Sequence, residues 1–151
     1  MASSSSIISF GNHAHGRAIS RVAGTTYNPE VDQVISRTVN GELVGGVTYQ
    51  GYTKASVQLH FAAFRKNWGC RDFIWVAFDY PFNQLGCKKV FGQVPETNKT
   101  ALEIDLKLGF KIVAKVEDVF PDGACYVLAL AREDCRWLNI KPKSLVERAG
   151  A

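Results

Sequence analysis

Between residues 55 and 71 a mostly apolar run meets a short basic connection, Arg65-Lys66-Asn67-Trp68-Gly69-Cys70-Arg71. A strand that enters a helix N-terminus through such a loop is suited to binding an anion. The first-turn amides and the positive end of the helix dipole face the ligand, and three cationic side chains reinforce them. The other reading of these residues is an ordinary basic connection with a glycine for the turn. His60 precedes the loop on the same apolar run. An imidazole titrates close enough to neutrality to take a proton from a reacting group. Strand alternation can equally turn His60 into the core. Asp105 shares a helix face with Ala101, Leu102 and Leu108. A carboxyl half-buried on such a face has a raised pKa and can act as a proton donor, whereas one on the solvated face has no role. Glu42 and Tyr52, on or near a hairpin, are weaker candidates for a base.

Metal chemistry finds little support. Cysteines stand at 70, 87, 125 and 135 with no C-x-x-C spacing and no histidine at ligand spacing, and His13-Ala14-His15 supplies only two ligands. No metal site is expected. Three of the cysteines lie in apolar segments, where a reduced thiol packs as a small core residue.

Several elements must hold these residues in place. Gln33–Val39 and Glu42–Tyr49 are strand-like runs separated by Asn40-Gly41, a dipeptide suited to a type I′ turn. Ala55–Phe64 is apolar along most of its length and is expected to be a central strand. Helical spacing then sets in with Ile74, Phe78, Phe82 and Leu85, interrupted by Pro81 and ended by Gly86. Lys88–Val94 is a strand, and Asn98–Leu108 a helix with Asn98 as N-cap and Gly109 just past its end. Phe110–Val116 and Ala124–Ala131 are the last strands, joined through Pro121-Asp122-Gly123. Ile7–Ala23 is expected to be one helix, interrupted near Gly11 and Gly16. The whole is a mixed α/β layer rather than a repeated βαβ array.

These elements fit one domain across residues 1–151, with residues 1–6 a disordered start and 140–151 an extension carrying a helical turn at Ser144–Arg148. At 46% hydrophobic and 21% charged, the chain is neither disordered nor a membrane protein. No apolar run approaches ~18 residues and no basic segment precedes Ile7-Ile8, so a cytoplasmic protein with no membrane partner is expected. The net charge of +4 is dispersed, which disfavours nucleic acid as a partner. Trp75 is expected in the core, and Trp68 either covers a ligand or packs the strand end.

The stretch Asp79-Tyr80-Pro81-Phe82-Asn83-Gln84-Leu85-Gly86-Cys87-Lys88-Lys89-Val90, followed by Val94 through Phe110, resembles the GNAT superfamily of N-acetyltransferases. The likeness covers roughly residues 30–138. It is nearest to the branch of ribosomal-protein N-terminal acetyltransferases and to small phage and bacterial GNAT proteins. It implies an α/β fold whose central sheet splays at an acetyl-CoA site, and direct attack of a primary amine on the thioester. The pantetheine arm would pair with the strand around Phe61 and Ala63. Lys66, Asn67, Gly69, Cys70 and Arg71 would meet the pyrophosphate, and Asn98 the pantetheine side. The acceptor, a small molecule or a protein amine, would sit near the N-terminal segment and Tyr49–Thr53.

Two positions depart from the family. Arg71 stands where the family's loop has a small residue, and it can either bond phosphate or block the site. Asp105 occupies the place of a proton-donating tyrosine. A GNAT-fold protein that binds without turnover is therefore the alternative. A homodimer through Ala124–Ala131 is also expected, because that run is apolar enough to pair.

Overall fold

The computed structural model describes residues 5–140 and Pro142. Seven strands form one sheet: β1 (Ser6–Phe10), β2 (Gln33–Val39), β3 (Glu42–Gln50), β4 (Ser56–Ala63), β5 (Lys89–Pro95), β6 (Lys111–Phe120) and β7 (Gly123–Ala131). Their order across the sheet is β1-β2-β3-β4-β5-β7-β6. All neighbours are antiparallel except β4 and β5. Among the described residues the α-helices are α1 (His13–Ala23), α2 (Arg71–Asp79) and α3 (Lys99–Leu108). The expected mixed α/β layer is what forms. Asn40 and Gly41 both adopt positive φ (52° and 82°) between paired Val39 and Glu42, as a type I′ turn requires.

Strand alternation sorts the side chains onto two faces. Val47, Tyr49, Val57, Leu59 and Phe61 share one cluster with Phe73, Phe78 and Phe82, so α2 covers that face. Leu108 and Phe110, at the end of α3 and just beyond it, join the same cluster. Ile19 of α1 packs with Val34 and Ala62 on the opposite face. Phe73, Phe78 and Phe82 are fully buried, each contributing about 1.5–3 kcal/mol by leaving water.

Four expectations need correction. Ile7–Ala23 is not one helix. Ser6–Phe10 is an edge strand paired with β2, Gly11 turns at φ 76°, and Asn12 caps α1 by accepting from the His15 amide at 3.1 Å. Ile7 and Ile8 carry too short a pattern to settle the matter locally, and the free edge of β2 decides it. Ser5 and Ser6, expected within a disordered start, are held there: the Ser5 amide donates to Asn40 Oδ1 at 2.9 Å. Residues 1–4 and the turn expected at Ser144–Arg148 lie outside the described residues.

The long helix around Pro81 also differs. It ends as α2 at Asp79 and continues as a π-helical turn over Tyr80–Gln84, closed by the Leu85 amide on the Tyr80 carbonyl at 2.9 Å. Proline has no N–H to donate, and the wider turn is how the chain continues past it. Finally, Ala124–Ala131 is not an edge. It lies within β7, paired on both sides, and the exposed edge is β6.

Candidate active site

The β4–β5 ladder is short. Ser56, Val57 and Gln58 pair with Lys89, Val90 and Phe91, and no pair follows. Beyond that point Leu59–Ala63 and Gly92–Pro95 diverge, and the sheet is open between them. The edges of the gap keep their outer partners, β3 on one side and β7 on the other, so each strand stays rigid while its inner backbone groups face the opening.

At the apex of this fork lies a small cavity lined by Ala23, Leu59, His60, Phe61, Gln93, Val94, Ala101 and Asp105. His60 enters from the α1 side, opposite Thr48 in the β3 register. It is 8% exposed, and its Nε2 has no hydrogen-bond partner among the described residues. Burial lowers its pKa to about 4, with Asp32 acting weakly in the other direction. The imidazole is therefore neutral near pH 7 and offers an accepting nitrogen in one tautomer.

Asp105 reaches the fork from α3. It is 4% exposed, and desolvation raises its carboxyl to about 7. The strand opposite makes room for it: a Cβ on Gly92 would lie 2.8 Å from Asp105 Oδ2. An acid and a neutral base thus converge on one cavity from opposite faces of the sheet.

A second cleft, of about 530 Å³, is lined by Ala63, Phe64, Arg65, Lys66 and Trp68 and by Thr100 and Ile104. The basic loop turns here into α2. Cys70 is its N-cap in extended backbone (φ −148°, ψ 168°) with no capping hydrogen bond from its side chain. An α-helix leaves its first amides without intrahelical partners, so the turn at Arg71 presents donors where the loop presents cations. Arg71, Lys66 and Asn67 are exposed. Arg71 does not fill the cleft with its side chain. Gly69 has only ordinary contact with Ile74, 3.6 Å from an added Cβ.

Other residues singled out from the sequence are held by structural work. Asn98 accepts from the Ala101 amide at 3.2 Å, and its Nδ2 lies 3.5 Å from the Val22 carbonyl. It joins the start of α3 to the end of α1. Trp68 packs edge-on against Phe61 and Phe73. Glu42 pairs with Arg65 at 2.7 Å beside the loop rather than at the fork. Tyr49 is buried in the α2 face, its hydroxyl donating to the Ala77 carbonyl at 2.6 Å, while Tyr52 donates to the Leu85 carbonyl at 3.1 Å. His13 and His15 bond separately, to Tyr27 and to Ser36.

Two contributors are not among the residues singled out from the sequence: Arg37 and Gly45. Their signals were present, a lone arginine inside Val34-Ile35-Ser36-Arg37-Thr38-Val39 and a Gly45-Gly46 pair inside an apolar strand. A Cβ on Gly45 would meet Trp68 Cβ at 2.7 Å, and one on Gly46 would meet Ile19 at 2.2 Å. Each glycine admits a different element onto the sheet.

The fold as a whole has counterparts among solved structures. A mutant form of the spermidine/spermine N-acetyltransferase SpeG from Vibrio cholerae superimposes with a TM-score of 0.65 over 89% of this chain and 98% of that one, at 16% identity. The chain has the GNAT fold. YncA from Salmonella typhimurium, solved with its cofactor acetyl-CoA, matches with a TM-score of 0.64 over 92% and 98% of the two chains, at 15% identity. A GNAT-family acetyltransferase from Bacillus anthracis gives 0.57 over 78% and 83%, at 12% identity. No protein-family model and no curated protein matches the chain.

Proposed function

We propose that this GNAT-fold chain is an acetyl-CoA-dependent N-acetyltransferase acting on a primary amine. One observation carries this reading: the β4–β5 gap brings a neutral buried histidine and a protonatable buried aspartate to one cavity, with a cationic loop lining a second cleft farther along β4 and α3. The residues fit the cosubstrate. Backbone of Phe61 and Ala63, released from the β5 ladder, is available to an extended arm. Lys66, Arg71 and the amides of Gly69, Cys70 and Arg71 suit a pyrophosphate. Bound there, acetyl-CoA supplies an activated acetyl thioester.

The chain's own residues do the rest. His60 Nε2 accepts a hydrogen bond from the incoming amine, orients it from the α1 side and takes the proton that its nitrogen loses as the amide forms. Asp105 holds a proton near the fork from the α3 side, where a departing thiolate needs one. The walls of Leu59, Phe61, Val94 and Ala101 exclude water from both groups. SpeG acts on spermidine and spermine, and a small amine of that general kind, a lysine or a protein N-terminus all fit an amine acceptor here. The branch related to ribosomal-protein and phage enzymes is retained as the narrower proposal. Four free thiols fit a reducing, cytoplasmic setting.

The test is thermal unfolding with and without acetyl-CoA, followed by CoA release across a panel of amines. Ligand at a hundredfold over its Kd stabilises by ~2.7 kcal/mol, raising the midpoint by roughly 5–10 °C. No shift refutes the site. A shift with no CoA release from any amine favours the binding protein without turnover, to which Arg71 and Asp105 in the family pattern point.

Self-association belongs to β6, where Ile112, Val113, Val116 and Val119 are 46–58% exposed along the sheet edge. Sedimentation that finds only monomer at micromolar concentration excludes the dimer.

A further inference from the structure

The loop at the mouth of the cleft rests on a platform built by the neighbouring hairpin. Arg37 pairs with Gly45 and Thr38 with Leu43, so Val44 is the extra residue of a β-bulge in β3. Each residue of that bulge touches the loop. The Val44 carbonyl accepts from both the Phe64 amide at 2.8 Å and the Arg65 amide at 3.3 Å. Gly45 leaves the space that Trp68 occupies. Arg37 reaches across Gly45 and donates through Nη1 to the Asn67 carbonyl, while its Nε donates to Ser6 Oγ at 3.0 Å. Residues 64, 65, 67 and 68 are thereby seated from one side.

Arg37 is unusual in its surroundings. Its residue is 9% exposed, and it forms no ion pair with a carboxylate among the described residues. A guanidinium removed from water without a counter-ion is costly, and chains retain one only where something offsets that cost. Two backbone or hydroxyl acceptors offset part of it. An anion on the adjacent loop would offset more, because the buried charge and the ligand would then attract through a poorly screened medium.

We propose that Arg37 is a positioning residue for the cofactor loop: from the β2–β3 bulge it fixes Asn67 and Trp68, so that Lys66 and the amides of residues 69–71 are already arranged when the pyrophosphate arrives. It rests on the reading of this loop as the acetyl-CoA site. Arg37 touches neither the cavity at the fork nor its two titratable groups, so it sets affinity for the cosubstrate and leaves the chemical step alone. The cost of ordering the loop is met on folding rather than on binding.

Arg37→Met and Arg37→Lys in the full chain test this. In Arg37→Met, KM for acetyl-CoA rises about tenfold, the size of one lost charge-assisted hydrogen bond, with kcat within about twofold. The shift of the unfolding midpoint by inorganic pyrophosphate shrinks in parallel. Arg37→Lys keeps the charge but not the planar fork that spans Ser6 and Asn67, and it falls between the two. Should the methionine variant fail to fold, Gly45→Ala displaces Trp68 from the same platform and predicts the same rise in KM at constant kcat. Unchanged KM in folded variants overturns the inference while leaving the loop's function intact. A loss confined to kcat also overturns it. If the wild-type chain itself binds neither acetyl-CoA nor pyrophosphate, the cofactor site fails and Arg37's role with it.

Discussion

Asp105→Asn separates stability from activity in opposite directions. In the folded chain the carboxyl titrates at about 7 instead of the ordinary 3.8, because burial penalises its charged form. The unfolded chain therefore releases this proton first as pH rises. Between roughly pH 4 and pH 7 the folded state holds more protons than the unfolded state, so this group lowers stability progressively across that window and no further above it. A displacement of about three pH units corresponds to about 4 kcal/mol at pH 8, which relaxation of the site reduces to about 2–4 kcal/mol. Asparagine has nearly the same shape and no charge. Its buried amide has its own cost, but that cost is the same at every pH and cancels when the two proteins are compared at pH 5 and at pH 8. The expected result is that the stability of the variant relative to wild type improves by about 1–3 kcal/mol between those pH values, because about a third of the window already lies below pH 5, or roughly 2–12 °C in midpoint for a chain of this length. Urea or thermal unfolding of both proteins across pH measures it. Turnover moves the other way: loss of the proton donor lowers kcat by about a hundredfold or more and abolishes the fall in rate above pH 7. Parallel pH–stability curves would refute the burial of a raised carboxyl, and unchanged turnover would refute its role as the acid.

His60→Gln keeps a hydrogen-bonding side chain but no base, and kcat falls about a hundredfold with acetyl-CoA affinity unchanged. The wild-type imidazole, lowered to about 4 by burial, stays neutral down to pH 5, and proton NMR of the ring that titrates nearer 6.5 would contradict its placement. The sign is the reverse of that for Asp105: His60 costs stability as pH falls from 6.5 towards 4, where the unfolded chain takes up the proton first. Gly92→Ala drives a methyl into Asp105 Oδ2 and is expected to lower kcat while destabilising the fold by about 1–3 kcal/mol, measured by kinetics and urea unfolding. Gly46→Ala overpacks against Ile19 by a similar amount, and Ile19→Ala added to it recovers part of the loss without any change in acetyl-CoA binding.

How much of this was legible in the sequence depends on whether the signal was local. The Asn40-Gly41 turn, the Asn98 cap and Gly109 at the end of α3 each act within a few residues, and each holds its expected place with the expected geometry: Gly109 has φ 106° and its amide bonds back to the Leu106 carbonyl at 3.1 Å. The central place of β4 was legible for the same reason, since a mostly apolar run is a property of the strand itself. Ile7-Ile8 could not be assigned locally, because what makes them a strand is an unpaired edge of β2 some thirty residues away. The edge of the sheet was misjudged on similar grounds: apolar Ala124–Ala131 reads as surface that wants a partner, and its partners are β5 and β6.

The candidate site shows the same division at finer grain. That 65–71 joins a strand to a helix is written in the residue types, but what holds the loop is not in the loop. Trp68 was weighed only as a cover for ligand or a plug for the strand end, whereas its position follows from the absent side chain at Gly45. Asp105 shows the complementary case. Its helix face suggested burial, but its carboxyl is dry only because Gly92, thirteen residues earlier on another element, has no Cβ to occupy the space. The candidate site therefore depends on two glycines, Gly92 at the fork and Gly45 beneath the loop, as much as on the groups that titrate. Such residues carry no chemical signal of their own, and only the folded sheet reveals what they make room for.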